Sequence, residues 1–147
     1  RTRALTRTPR RDEEGPALLH RAFGLRATLM FDLAPGEYHT NVVLAVLAGR
    51  AALICADGFA DAAVPEAIAG LYAPHDISLS QAEHAAFAGN AIALSERSVW
   101  MSAGAEASLT STTRNRLLEA GFAPRGVPLG AIEAAGGSLR CCVAEVF

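Results

Sequence analysis

The stretch Gly136-Gly137-Ser138-Leu139-Arg140-Cys141-Cys142-Val143-Ala144-Glu145-Val146-Phe147 decides how this chain is read. Its two glycines let backbone approach a neighbour or a ligand, because neither carries a Cβ. The apolar run that follows, with its two cysteines, is expected to be a strand. Successive strand side chains point to opposite faces. Cys141 and Cys142 are therefore expected in different environments, one facing a cleft and the other a packed interior. A Gly-rich turn feeding a cysteine suits a nucleophile. Taken alone, an ordinary turn before a small core cysteine is the commoner meaning of such a stretch.

A second stretch, Tyr38-His39-Thr40-Asn41-Val42-Val43-Leu44, follows the turn signal Pro35-Gly36. It reads as a strand running to about Leu47, with His39 and Asn41 on one face. Taken in order and about a hundred residues apart, Tyr-His-Thr-Asn-Val and Gly-Gly-Ser-Leu-Arg-Cys resemble the guanidine-modifying, or pentein, superfamily. Arginine deiminases, dimethylargininases and amidinotransferases belong to it, and the nearest likeness is to its citrulline-utilisation hydrolase branch. The segment Phe87-Ala88-Gly89-Asn90 fits the same branch, and the resemblance extends from about Arg1 to Phe147.

Composition sets the outer bounds. The 147 residues are 51% hydrophobic and 19% charged, enough for one α/β domain with a real core. A net charge of −2 gives no reason to expect a nucleic-acid partner. The arginines at 1, 3, 7, 10 and 11 read as a solvated end or a cut edge. No apolar run reaches membrane-spanning length and no signal-peptide pattern opens the chain, so no membrane partner is expected. Cys55, Cys141 and Cys142 make no disulfide framework, which points to a reducing, cytoplasmic setting. With an Arg at its start, the chain reads as part of something longer.

Along the chain, a helix is expected over Asp12–Phe23, stopped by Gly24, then a short strand over Ala27–Phe31. Gly49-Arg50 signals a hairpin into a return strand, Ala51–Ala56. A helix over Ala60–Leu71 and a strand at Ile77-Ser78-Leu79 come next. The order then recurs: a strand over Gly89–Leu94, a turn at Ser95-Glu96-Arg97, a return at Ser98–Met101, and a helix capped by Thr110 or Ser111 and ended by Gly121. The Pro-flanked Val127-Pro128-Leu129 precedes a third start at Gly136. Asn41, Asn90 and Ser138 hold equivalent places, at spacings of 49 and 48 residues. A period near fifty indicates a repeated module. The resemblance interprets it as a partial α/β propeller of ββαβ modules of about 49 residues, roughly half of a five-bladed one, with 1–147 expected to be the C-terminal part of a single propeller domain whose N-terminal modules are absent. Modules of this kind bury their faces on neighbours, so self-association through exposed module edges is expected.

The chemistry follows from the same resemblance. Cleaving a C–N bond at a guanidinium or ureido carbon is slow because resonance makes that carbon a poor electrophile. A cysteine thiolate divides the step in two by covalent attack, and a histidine protonates the departing amine and then activates water. The resemblance makes Cys141 the nucleophile, with Cys142 its buried neighbour, and His39 the acid/base; by itself, His39 reads as a hydrogen-bonded strand histidine. Arginine-using relatives carry His-x-Asp where this chain carries His39-Thr40-Asn41. An amide matches a neutral ureido group better than a cation, which favours citrulline; alternatively Asn41 only satisfies backbone near the propeller axis. Asn90 and Arg140 are further substrate-binding candidates, Arg140 for a substrate carboxylate. No cofactor is implied. His20 is expected on an exposed helix face, while His75 and His84 beside Asp76 and Glu83 match no metal spacing.

The family also draws an acidic residue, often from a Glu-Gly-Thr-Gly-like stretch, and substrate-gripping arginines from modules before the histidine strand. No such stretch precedes Tyr38. The expected partner is a small guanidino or ureido amino acid. Competing readings are an amidinotransferase, an arginine deiminase-type enzyme, and a non-catalytic or truncated propeller fragment.

Overall fold

The computed structural model describes residues 2–7 and 14–144. Its plan is one strand–helix–strand unit repeated three times, with hairpin strands added to the second and third units. In the first unit, β1 (Thr2–Arg7) and β2 (Ala27–Asp32) pair in parallel across helix α1 (Glu14–Ala22). The second unit adds strand β3 (Leu44–Leu47) as a hairpin partner to β4 (Ala51–Ile54), and α3 (Ala63–Tyr72) crosses over to β5 (Asp76–Ser78). In the third, β6 (Ile92–Ser95) pairs with β7 (Ser98–Ser102), and α5 (Ala103–Ser108) and α6 (Ser111–Glu119) cross over to β8 (Ala123–Val127). In both complete units the hairpin pair is antiparallel and the crossover pair parallel.

Register makes the repeat quantitative. Thr2 pairs with Ala27, Ala52 with Asp76 and Ser98 with Ala123, so each crossover advances the chain by 24 or 25 residues. The chain therefore holds two complete ββαβ modules with part of a module at each end, as the period implied. The short helices α2 (Thr40–Val43), α4 (Gln81–Ala85) and α7 (Gly130–Glu133) lie at or before the module starts.

Core packing follows strand alternation. In β4, Ala51 and Leu53 enter one cluster, with Ile77, Val99, Met101, Leu117 and Phe122. Ala52 and Ile54 enter the other, with Phe31, Val43, Cys55, Phe59 and Ile68. The central strand is buried on both faces, and its period of two assigns each side chain to one module junction or the other. Each wholly buried Leu or Ile contributes roughly 1.5–3 kcal/mol. Arg50, at the first hairpin, lies 4.8 Å over the Phe122 ring and donates to the Glu96 carbonyl of the next hairpin.

Several expectations are corrected. The strand expected from Tyr38 to Leu47 is interrupted by the one-turn helix α2, and β3 begins only at Leu44. The run carrying Cys141 and Cys142 is a 3-10 turn, Leu139–Cys142, and both thiols are exposed. Strand alternation therefore does not separate them, and Cys142 is not a buried neighbour. Glu145–Phe147, at the end of the run, and Asp12, at the expected start of the first helix, lie outside the described residues. His20 is partly buried, its Nδ1 2.9 Å from Thr28 Oγ1, where an exposed helix face was expected. β8 had no sequence signal, and α4 had one: Ser80 and Glu83 form a capping box.

Glu83 is almost wholly buried. Its carboxylate accepts hydrogen bonds from Ser80 N (2.8 Å), Ser80 Oγ (2.7 Å) and Thr110 N (2.9 Å), and so joins α4 to the start of α6. Burial pushes the carboxyl up, but the bonds from Ser80, Thr110 and Thr113 outweigh it and hold the group below its ordinary value. No helix among the described residues is long and apolar enough to cross a membrane.

Because Glu83 is depressed in the folded state, its stabilisation is complete above the unfolded value and is lost as pH falls through the folded one. Denaturant unfolding should show wild-type stability declining below about pH 5. Glu83→Gln should lose about 1–3 kcal/mol at neutral pH and show a shallower acid decline.

Candidate active site

Two bends from different modules meet at Cys141. The first is Tyr38–Asn41, where His39 is extended (φ −145°, ψ 141°) and α2 starts directly after it. The β-branched pair Val42-Val43 is buried beneath this turn, so the polar members of the motif stay at the surface. The second bend is Gly136–Cys141. Gly136 and Gly137 have φ of +94° and +86°, a left-handed pair that residues with a Cβ rarely adopt. A Cβ on Gly137 would stand 3.5 Å from Cys141 Sγ, so the glycine backs directly onto the thiol.

Between the bends lies Asn90, with no exposed surface. Its Nδ2 donates to the Asn41 carbonyl oxygen (2.9 Å) and to Cys141 Sγ (3.2 Å), and its Oδ1 accepts from Arg140 N (2.9 Å). One amide thereby ties together the starts of three successive repeats. Asn41 meets the same sulfur through its own amide, Nδ2 lying 3.7 Å and Oδ1 3.9 Å away. Gly89 makes this junction possible, since a Cβ there would collide with the carbonyl oxygen of Val42. Phe87, just upstream, has φ +62° and aims the chain into this approach.

The five residues singled out from the sequence fall into two groups. Cys141, Asn41, Asn90 and Arg140 form one hydrogen-bonded cluster, with Asn90 inside it. His39 is exposed and packs against Tyr38, ring centroids 5.0 Å apart. Among the described residues, the side chains bonded to Cys141 Sγ are those of Asn41 and Asn90. The guanidinium of Arg140 donates to the Val143 carbonyl (3.1 Å).

Tyr38, to which the sequence reading gave no role, stands beside Cys141 and Gly137. Partial burial pushes its phenol up and the neighbouring Cys141 adds to this, against a hydrogen bond from the Gly137 backbone. Its adjacency to His39 was the available signal. Glu37, the next residue back, pairs with His84 Nε2 at 3.2 Å rather than with His39. Cys55 contrasts with Cys141: it is 2% exposed, and burial pushes its thiol up. No group of three His, Cys, Asp or Glu side chains able to hold a metal occurs among the described residues.

Repeated ββαβ modules that converge on a cysteine and a His-x-Asn bend define the guanidine-modifying, or pentein, class. Residues 4–147 match the model of the eukaryotic N,N-dimethylarginine dimethylhydrolase family, and the chain belongs to that family. Among solved structures, it is similar to the product-bound N-terminal domain of ArgZ, an arginine dihydrolase from the ornithine–ammonia cycle in cyanobacteria. That match has a TM-score of 0.79 at 22% identity, covering 94% of this chain and 48% of the domain. A variant of the same domain has been crystallised covalently bonded to a reaction intermediate. SxtG, an amidinotransferase from Microseira wollei in a saxitoxin biosynthetic pathway, is similar with a TM-score of 0.71 at 18% identity, over 94% of this chain and 42% of SxtG. These identities establish the fold, and the chain spans about half the length of the ArgZ domain. A search of curated protein sequences gives no match.

Asn90→Ala would take a donor from the Asn41 carbonyl and from the sulfur, and would leave Arg140 N with its longer bond to the main-chain carbonyl of residue 90 (3.4 Å). It should destabilise the fold by about 2–4 kcal/mol, measured by denaturant unfolding. Alkylation of Cys141 at neutral pH should slow in the fraction that remains folded.

Proposed function

We propose that the protein carrying this chain hydrolyses a C–N bond of a guanidino or ureido amino acid through a covalent bond to Cys141. The observation that carries the reading is the cradle of Cys141, an exposed thiol with the Asn90 amide at 3.2 Å and the Asn41 amide at 3.7 Å. Amide donors aimed at the sulfur hold it at one point and meet the charge that returns to it when the C–S bond breaks. The thiolate adds to the central carbon, and the departing amine takes a proton from His39. His39 then removes a proton from water, whose oxygen displaces the sulfur and releases the thiolate, which leaves both groups as they began. The covalent intermediate of the ArgZ domain supports this two-step course. An exposed thiol beside Cys142 suits a reducing compartment, and the cytoplasm fits that requirement.

Asn41 is the residue on which substrate choice turns. Its amide reaches the reacting sulfur, so it also borders the place where the substrate's terminal group must come. A neutral amide both donates and accepts, and it pairs with a ureido group without burying an unmatched charge. Citrulline is therefore the preferred substrate. Arginine is the second reading, favoured by the L-arginine bound to AgrE, a similar fold with a TM-score of 0.77 at 21% identity over 93% of this chain and 20% of AgrE. Capture of the intermediate by an amine instead of water would give an amidinotransferase, which the similarity to SxtG keeps in view.

Treatment with a haloacetamidine followed by peptide mapping should place the label on Cys141 and spare buried Cys55. Label on Cys142 with Cys141 untouched would reverse the assignment. Asn41→Asp brings a carboxylate to the site, where a charge-assisted pair is worth roughly 1.5–3 kcal/mol. The ratio of kcat/KM for citrulline to that for arginine should therefore shift by about one to two decades towards arginine. An unchanged ratio in a folded variant would remove Asn41 from substrate choice.

A further inference from the structure

The bend that carries His39 has little of its own to hold it. Helix α2 is four residues long, and His39, at its N-cap, makes no side-chain capping bond. One turn of helix is not stable by itself. The far side of the bend is held by Asn90 at the Asn41 carbonyl and by the buried Val42 and Val43, and its near side is held through Glu37. His84 Nε2 lies 3.2 Å from Glu37 Oε1, with 19% and 17% of the two side chains exposed. Water screens so enclosed a pair poorly, and the bond forms whenever Nε2 carries a hydrogen.

Both ends of the pair are anchored. Glu37 N donates to the Ala34 carbonyl (3.1 Å), closing the turn at Pro35-Gly36, and Ala34 N donates to Gly58 (3.0 Å). His84 belongs to α4, whose first turn is set by the Ser80–Glu83 capping box and secured to α6 through Thr110. The chain then passes from α4 through Phe87 and Gly89 to Asn90, whose amide holds Cys141. The same short segment thus grips both halves of the candidate catalytic pair: His84 holds the acid/base bend, and Asn90 holds the nucleophile.

We infer that Glu37 and His84 are positioning residues, a clasp between modules that sets where His39 stands relative to Cys141. The inference rests on the catalytic reading above. Proton transfer requires the imidazole within hydrogen-bond reach of the reacting group. A loosened bend forfeits that reach before it forfeits substrate affinity, so the clasp acts on kcat and leaves KM and the thiol unchanged.

The test compares wild type with His84→Ala and with the milder Glu37→Gln, in the protein that carries this chain. Backbone amide exchange should accelerate about tenfold between Tyr38 and Val42, as expected for one lost charge-assisted bond, while the Leu79 and Val99 amides keep their protection. Steady-state kinetics should show kcat down about tenfold with KM within about twofold, and haloacetamidine should label Cys141 at the wild-type rate. The exchanged pair Glu37→His with His84→Glu should recover most of kcat. Unchanged exchange from Tyr38 to Val42 in both variants overturns the clasp. A raised KM with kcat intact, or a slowed alkylation of Cys141, overturns its role in placing His39. If wild type neither turns over nor takes label, the catalytic reading fails, and the exchange data still decide whether the clasp exists.

Discussion

Everything at the candidate site hangs on the side chain of Asn90. A buried amide offers two hydrogens and one carbonyl oxygen, and each that is left without a partner carries the desolvation cost of an unsatisfied polar group. Asn90 meets that demand by bonding the Asn41 carbonyl, Cys141 Sγ and Arg140 N. These partners lie in the repeats before and after its own, Asn41 in one and Arg140 and Cys141 in the other, so the arrangement exists only when the modules are seated against one another. Docking of the modules and placing of the Cys141 thiol are therefore one event. Glu83 repeats the logic a few residues earlier, where a buried carboxylate is tolerated because Ser80 and Thr110 supply its donors.

The two halves of the site are supported differently. Cys141 is held by hydrogen bonds to its own sulfur and by the left-handed turn beneath it, a direct and short-range restraint. His39 is held at one remove, through a neighbour's ring and a carboxylate two residues back. The difference suits the roles proposed for them. A nucleophile must wait at a fixed point, whereas an acid/base delivers a proton to the leaving group and then turns to a water. Arg50, resting on Phe122 and reaching the Glu96 carbonyl, supplies the equivalent restraint at the outer rim of the junction.

Much of this was legible in the sequence, wherever the signal was local. The Gly49-Arg50 hairpin, the Thr110 cap and the stop at Gly121 each rest on residues within a few positions of one another, and all three are present. The period was legible because equivalent asparagines recur at 49 residues, and that spacing is the Asn90–Asn41 hydrogen bond itself. Local patterns misled where tertiary contacts decide. Val42-Val43 looks like strand and is a helical turn, since burial of both valines beneath the bend outweighs their β preference. Cys141-Cys142 looks like strand because the run is apolar, yet the paired positive-φ glycines lead into a 3-10 turn. β8 reads Ala-Pro-Arg-Gly-Val, with no β signal at all, and is a strand only because β7 offers it a parallel edge. The Glu37–His84 pair spans two modules and left no trace in sequence spacing.

The contact at Gly89 carries a consequence of a different kind. Val42 and Gly89 meet main chain against main chain, with no room for a side chain between them. Such a seam is indifferent to the vocabulary of the residues around it. Side-chain exchanges around it leave this main-chain approach in place. Gly89 itself has no such latitude. A scaffold built this way rests the thiol's surroundings on a contact that tolerates one residue only, while the side chains around it carry no such demand.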